Sequence, residues 1–364
     1  MNARLIALPF VALLALTACG PQGPDPTPPT SSPGSSATKP SALDLDGLSV
    51  GGAPKIAWSQ GTALDGDRAK DVLPAKLDQF VETKQLLVMR DIDGNVFAYS
   101  PQGPTSTTPI GKATGTLAIN QERNLVAWIA PDGSPTVLQE GEDKPAVLLN
   151  QSGVTAGDAV AVLGHDCFNG PETVEGAGCS VYFRARGEKP QSFVSSNHGF
   201  VEAIGGGDTA VHLQDVDESG EVGWTALNED QTTCSTYTGR ETLDADTAKT
   251  WKTCAFMPLT FSPDGKHILA TASHGYEGLG ASSLTILDRA TGKPRLTLKN
   301  NARSQAAIVD MQWEDDTHVL AVVAQKLDWG VIRVGLDGSV ELADERIRPN
   351  RELDTIPYRL STQA

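Results

Sequence analysis

Six histidines are the first candidates for proton transfer or metal binding, and they are scattered: His165, His198, His212, His267, His274 and His318. His165 precedes Asp166, and His274 opens the run His274-Gly275-Tyr276-Glu277. Either would supply a general base or hydrogen-bond donors, but neither comes with an identified catalytic partner. His267 and His318 each stand just before an apolar run, in matching surroundings, which predicts a repeated structural role at a solvent-facing turn. A second kind of chemistry is suggested by Asp215-Val216-Asp217-Glu218-Ser219-Gly220-Glu221, which places oxygen ligands at positions one, three and five and glycine at six, as calcium loops do. Position nine is Gly223 and position twelve Ala226, so the later ligands are missing. The segment is expected to be a polar hairpin turn, and Asp93-Gly94 a shorter one. No metal and no cofactor is expected.

Other reactive signatures are absent. The sequence has no G-x-S-x-G elbow, no phosphate-binding glycine loop, no H-E-x-x-H and no dinucleotide fingerprint. Trp224, Trp251 and Trp329 are expected to be packing or loop anchors and not a sugar platform. Cys167, Cys179, Cys234 and Cys254 form an even set with no C-x-x-C, which reads as two disulfides in an exported chain. Three connectivities exist. The near-neighbour pairing, Cys167 with Cys179 and Cys234 with Cys254, is preferred because each pair brackets a polar, glycine- or threonine-rich loop.

The fifth cysteine belongs to a different chemistry. Arg4 precedes an apolar run from Leu5 to Leu16, too short to span a bilayer of ~30 Å as a helix, and small residues follow it. The sequence Leu16-Thr17-Ala18-Cys19-Gly20 resembles the processing box of bacterial lipoproteins. The resemblance implies that residues 1–18 are a signal peptide and that Cys19 is lipidated and becomes the first residue of the mature chain. It also implies a lipid-anchored, extracytoplasmic location, on the outer face of the cytoplasmic membrane or in the periplasm, with the bilayer as a partner. Two or more acyl chains, at about 0.8 kcal/mol per buried methylene, would hold such a protein durably. From Gly20 to Pro40 the chain has seven prolines in 21 residues and almost no apolar side chains. That composition predicts a disordered spacer over residues 19–45.

The elements that must position any site lie in residues 46–364. Removing residues 1–18 takes away Arg4 and moves the net charge from −16 to −17, which argues against nucleic acid and anionic headgroups as partners. Thirty-six glycines, 23 prolines and few aromatics give the turn-rich look of an all-β chain. Residues 259–298 read as strand, Pro263-Asp264-Gly265 turn, strand, loop, strand, Ala290-Thr291-Gly292 turn, strand. That is an antiparallel meander. Anchors Val88, Ala127, Val160, Val211, Ala270 and Ala321 mark six such modules, 33 to 59 residues apart. Residues 55–59 and 358–362 are placed to close a ring.

The repeated module resembles the blades of TolB-like and WD-repeat-like β-propellers. The resemblance implies six blades, with seven as the alternative, and protein partners, most naturally of the cell envelope. It transfers no site residue. The expected function is a noncatalytic binding or scaffold module. The rivals are an extracytoplasmic hydrolase or lyase acting on envelope carbohydrate or peptide, and a small-molecule sensor. The hydrolase would gather carboxylates, or a histidine with a carboxylate, at one mouth of the channel.

Overall fold

The computed structural model describes residues 42–61, 63–64, 77–100, 108–150, 153–168, 178–186, 191–204, 211–217, 222–227, 233–238, 249–273, 276–277, 280–300, 303–348 and 356–364. Cys19, the segment 1–18, the proline-rich run and His274 lie outside them.

Apolar runs broken by glycine-containing turns fold into six successive four-stranded antiparallel blades. Blade 1 is Leu77–Glu82, Leu87–Asp91, Asn95–Tyr99 and Gly111–Lys112. Blade 2 is Ala118–Ile119, Leu125–Ile129, Pro135–Gln139 and Ala146–Val147. Blade 3 is Gly157–Gly164, Cys179–Ala185, Gln191–Ser196 and Val201–Ile204. Blade 4 is Val211–Val216, Val222–Leu227, Thr233–Thr238 and Lys249–Thr253. Blade 5 is Phe256–Phe261, His267–Ala272, Ser283–Asp288 and Pro294–Lys299. Blade 6 is Ala306–Asp315, His318–Gln325, Asp328–Gly335 and Val340–Leu342, extended by a small hairpin, Tyr276–Glu277 with Gly280–Ala281.

A three-stranded sheet drawn from both ends of the body closes the ring. Tyr358–Leu360 is its inner strand, followed by Trp58–Gln60 and Ala63–Leu64, with Trp58 opposite Leu360 and Gln60 opposite Tyr358. Among the described residues an apolar core fills each of the seven junctions between neighbouring sheets. Blade 6 meets the closing sheet through Leu320, Val322, Trp329, Trp58 and Tyr358, and that sheet meets blade 1 through Ala57, Leu64, Phe80 and Leu87. The chain is a six-bladed β-propeller whose circle is completed by this short sheet.

Strands covered on both faces read as continuous apolar runs and not as alternation. All five residues of Leu125–Ile129 are buried for this reason. Gly133 turns the hairpin between the second and third strands of blade 2 at φ +81°, where an added Cβ would meet the Val154 carbonyl oxygen at 1.6 Å. Only glycine fits there.

Two boundaries differ from the sequence reading. The anchors Val88, Ala127, Ala270 and Ala321 lie in second strands, whereas Val160 and Val211 lie in the first strands of blades 3 and 4. The true counterparts fall within Cys179–Ala185 and Val222–Leu227. An inner strand carrying Ala159 to Leu163 is as apolar as a second strand, because it also packs between blades. The folded body also reaches back to Ala42, four residues before the expected boundary. Ala42 bridges Lys299 in parallel, and Leu43 and Leu45 are buried between blades 5 and 6.

This N-terminal segment is a strap along the outer edges of those two blades. Leu43 N donates to Lys299 O at 2.7 Å, Leu45 N to Gln325 Oε1 at 2.6 Å, and Gly51 N to Leu342 O at 2.8 Å. Arg333 of blade 6 fastens its far end, donating to the carbonyls of Gly52 and Ala53 while pairing with Glu314 and Glu341. The sulfurs of Cys167 and Cys179 are joined across the connection between the first two strands of blade 3, with Cα atoms 5.0 Å apart. Cys234 and Cys254 tie the third strand of blade 4 to the end of its fourth, with Cα atoms 4.0 Å apart.

Candidate functional site

The inner strands of blades 2 to 5 surround a cavity of about 450 Å³ in the central channel. It opens toward the turns that join first to second strands. Ile119 of blade 2 and Val160 to Leu163 of blade 3 supply an apolar wall, and residues 362–364 line another side. Gln121 Nε2, in the blade 2 turn, donates to Pro263 O in the blade 5 turn at 3.0 Å. Blades 2 and 5 are not neighbours, so this bond spans the mouth.

A repeated backbone device sets the polar groups. In five blades the register between first and second strands slips, at Asp78, Val160, Gln214, Leu259 and Val309, and blade 6 slips a second time at Glu314. A bulge of this kind re-aims the side chain beside it. After three of these bulges the next residue is polar and takes hold of the neighbouring sheet. Gln79 Oε1 accepts from Leu117 N at 2.7 Å, Asp215 Oδ2 from Phe261 N at 2.7 Å, and Asp310 Oδ2 from Leu360 N at 3.0 Å. Gln79 Nε2 also donates to Thr362 Oγ1 at 2.8 Å, and Gln363 N donates to Gln312 Oε1 at 3.3 Å. Through these bonds the closing sheet and its continuation are seated in the channel.

Three carboxylates line the cavity, in different electrostatic settings. Asp217 is paired with Arg289, whose guanidinium lies 4.9 Å from the Phe261 ring centroid and donates to Gly265 O at 2.8 Å. Asp264, against the cost of desolvation, is held down at about 2 by hydrogen bonds from Lys266 and Ser262. Asp215 is pushed up to about 7, because desolvation outweighs the backbone donors of Phe261 and Val216. Asp310 is displaced upward by burial in the same way.

This setting gives a pH dependence with a definite sign. A carboxyl whose folded-state pKa lies above its unfolded value stabilises the fold fully below the unfolded pKa and stops doing so as pH rises through the folded one. For Asp215 the window runs from about 4 to about 7, and about 2–4 kcal/mol is at stake there. Urea unfolding of Asp215→Asn should therefore gain on the native protein by that amount between pH 5 and pH 8. Parallel pH curves for the two proteins would show that Asp215 is not desolvated.

The residues singled out in the sequence fare differently. Of the calcium-like segment, residues 218–221 lie outside the described residues; Asp215 and Val216 end a strand that pairs antiparallel with the one Val222 begins, and Asp215 and Asp217 serve different partners. His267 is not at a solvent-facing turn. It is 6 % exposed, stacked with Trp313 at 6.4 Å between ring centroids, its pKa lowered by burial, and its Nδ1 is buried without a partner. Its counterpart His318 is half-buried and shares Asp315 Oδ1 at 3.0 Å. Glu314, Asp315 and His318 lie close enough to hold a cation, but Glu314 serves Arg333 and Asp315 serves Lys55. His165 Nδ1 is 2.9 Å from Glu122 Oε1 on the surface and does not line the cavity. Trp251 and Trp329 are packing residues: Trp251 Nε1 donates to Arg289 O at 2.6 Å, and Trp329 is buried against the closing sheet.

Sequence reasoning missed Gln79, Asp310, Arg289 and Asp264 as channel residues. The available signal was a polar residue inside an otherwise apolar first strand, as in Val309-Asp310-Met311 and Gln214-Asp215-Val216.

No known family model matches this sequence, and no curated protein matches it. Solved structures resemble it in architecture. The Dos1 propeller is 14% identical, with a TM-score of 0.47 over 71% of this chain and 67% of that one. A chain of the mitotic checkpoint complex is 9% identical, with a TM-score of 0.48 over 93% and 90%. The Myceliophteria thermophila Cps50 (Swd1) β-propeller domain is 6% identical, with a TM-score of 0.48 over 76% and 87%. Identities this low leave the partners of those proteins without bearing on this one, whose function must come from its own side chains.

Proposed function

We propose that this chain is a lipid-tethered, extracytoplasmic β-propeller acting as a noncatalytic binding module for a cell-envelope protein, met at the mouth of the central channel. The observation that carries the reading is the cavity, built from turn and inner-strand residues of four blades, in which two of three carboxylates are already committed to cations of the same chain. Recognition residues carried on turns of a rigid scaffold are a common way to build a binding face. Two disulfides support an oxidising compartment. Among the described residues no helix is long and apolar enough to cross a membrane, which leaves the proposed lipidation of Cys19 as the attachment argued from sequence.

Cys19→Ser should move the protein from the membrane pellet to the soluble fraction; retention in the pellet would refute the tether. A photocrosslinking residue at Gln121 should yield one discrete adduct in the native envelope, and the same probe at the outer-edge residue Val147 should not. Equal labelling, or none at Gln121, would refute the mouth as the docking face.

One observation favours a second reading. Asp215 and Asp264 line one cavity and are held at opposite ends of the carboxylate range, as acid and base pairs are. Turnover of envelope glycan or peptide that disappears in both Asp215→Asn and Asp264→Asn would establish a hydrolase in place of the module.

A further inference from the structure

The cavity differs from a mere gathering of acidic residues in how its three carboxylates are matched. Asp217 has Arg289 and Asp264 has Lys266, whereas Asp215 forms no salt bridge among the described residues: it accepts from the N–H groups of Val216 and Phe261, and the charge of Arg289, which is paired with Asp217, reaches it only at longer range. Each of its oxygens accepts one of these bonds, and a carboxylate oxygen has room for a second. Beside these polar groups runs the apolar wall of Val160 to Leu163, and the enclosed volume, about 450 Å³, exceeds what a bare ion needs.

An apolar wall ending in a carboxylate without a salt-bridge partner fits an alkyl stem with a cationic head. We infer that the cavity binds an alkylammonium group, its methylenes along Val160 to Leu163 and its ammonium on Asp215. The group is carried either by a small linear amine or by a lysine side chain of the docked partner. The inference rests on the binding-module reading and names the chemistry of its site. Because burial holds a proton on Asp215 up to about pH 7, arrival of the ammonium expels that proton. The cation replaces it as the neutralising charge.

The test is isothermal titration of the full chain at pH 7 with n-pentylamine and with a lysine-centred alanine pentapeptide, against n-pentanol and the norleucine pentapeptide. At least one ammonium probe should bind saturably, at least tenfold tighter than its neutral counterpart, and Asp215→Asn should weaken it at least tenfold. The heat should vary with the ionisation enthalpy of the buffer, reporting the released proton. Binding of the amine alone identifies a small-molecule source, and binding of the peptide alone a partner side chain; both outcomes support the site. Neutral probes binding equally well, no ammonium binding, or undiminished binding to a folded Asp215→Asn would overturn it. If that variant does not fold, buffer-independent heats in the native protein overturn it instead. A Gln121 crosslink without ammonium binding would sink this inference and leave the module standing, whereas the converse would sink the protein partner and leave the site.

Discussion

Arg333→Met is expected to lower the free energy of unfolding by about 3–5 kcal/mol, the range for removing one partner of a buried ion pair. Glu314 is the reason. Its side chain has no solvent exposure, and Arg333 reaches it twice, Nε to Oε2 at 2.5 Å and the terminal nitrogen to Oε1 at 2.7 Å. The same guanidinium donates to Glu341 at 2.5 Å and to the carbonyls of Gly52 and Ala53 at 3.0 and 2.9 Å. Hydrogen bonds donated to these carboxylates raise the Arg333 pKa further above its ordinary value, so its charge is permanent. Methionine fills similar space but leaves Glu314 with the Lys55 N–H, 2.8 Å away, as its remaining donor among the described residues. The double substitution Arg333→Met with Glu314→Met removes both charges and should recover most of the loss. Urea denaturation of the three proteins decides the matter: a single-mutant loss below about 1 kcal/mol, or a double mutant as unstable as the single, would contradict this account.

Removing residues 357–364 should abolish cooperative unfolding, leaving a body that binds a hydrophobic dye and melts without a sharp transition. The segment supplies the inner strand of the closing sheet, and both of its large apolar side chains are buried, Tyr358 at 0% and Leu360 at 2% exposure. Without it Trp58 loses the ring 5.8 Å away, and the half-buried Asp310 loses the Leu360 N–H. Two apolar junctions open at once, since this sheet packs on blade 6 on one side and on blade 1 on the other. Tyr358→Ala is the milder version, costing about 3–5 kcal/mol as buried aromatic truncations do. Tyr358→Phe, which loses only the hydroxyl's bonds to Glu345 O at 2.9 Å and Asp344 Oδ2 at 3.4 Å, should cost about 1 kcal/mol. A truncated chain that still melts sharply near the native temperature would mean that the six blades hold together without closure.

The blades were legible because their punctuation is local. Asp93-Gly94, Asp132-Gly133, Asp264-Gly265 and Asp337-Gly338 all occupy turns with glycine at positive φ, as their dipeptides require. The closing strands were legible because two apolar runs were left without a blade of their own. The strand identity within blades 3 and 4 was not, because inner and second strands are both covered on two faces and lose the period that would separate them. The site was hidden for a related reason. Whether Asp215 faces the channel or the solvent depends on the slip between Leu213 and Asp215, which the second strand and the neighbouring blade decide together. His267 looked like a turn residue because it follows Asp264-Gly265-Lys266, yet Trp313, 46 positions later, covers it. The pairing of Arg333 with Glu314 likewise belongs to the fold, being a meeting of the third and first strands of blade 6 across the second, which no spacing rule announces.

The strap from Ala42 to Lys55 has a mechanical consequence. Any pull arriving from residues before 42 is met first by two parallel bridges, to Lys299 and Leu342, and by Leu43 and Leu45 wedged between blades 5 and 6. Next come the Arg333 bonds to Gly52 and Ala53, and after them Trp58–Gln60, the strand on which ring closure depends. Tension is thus shed into the flank of the molecule before it reaches the seam, as the clamp on a cable spares the joint behind it.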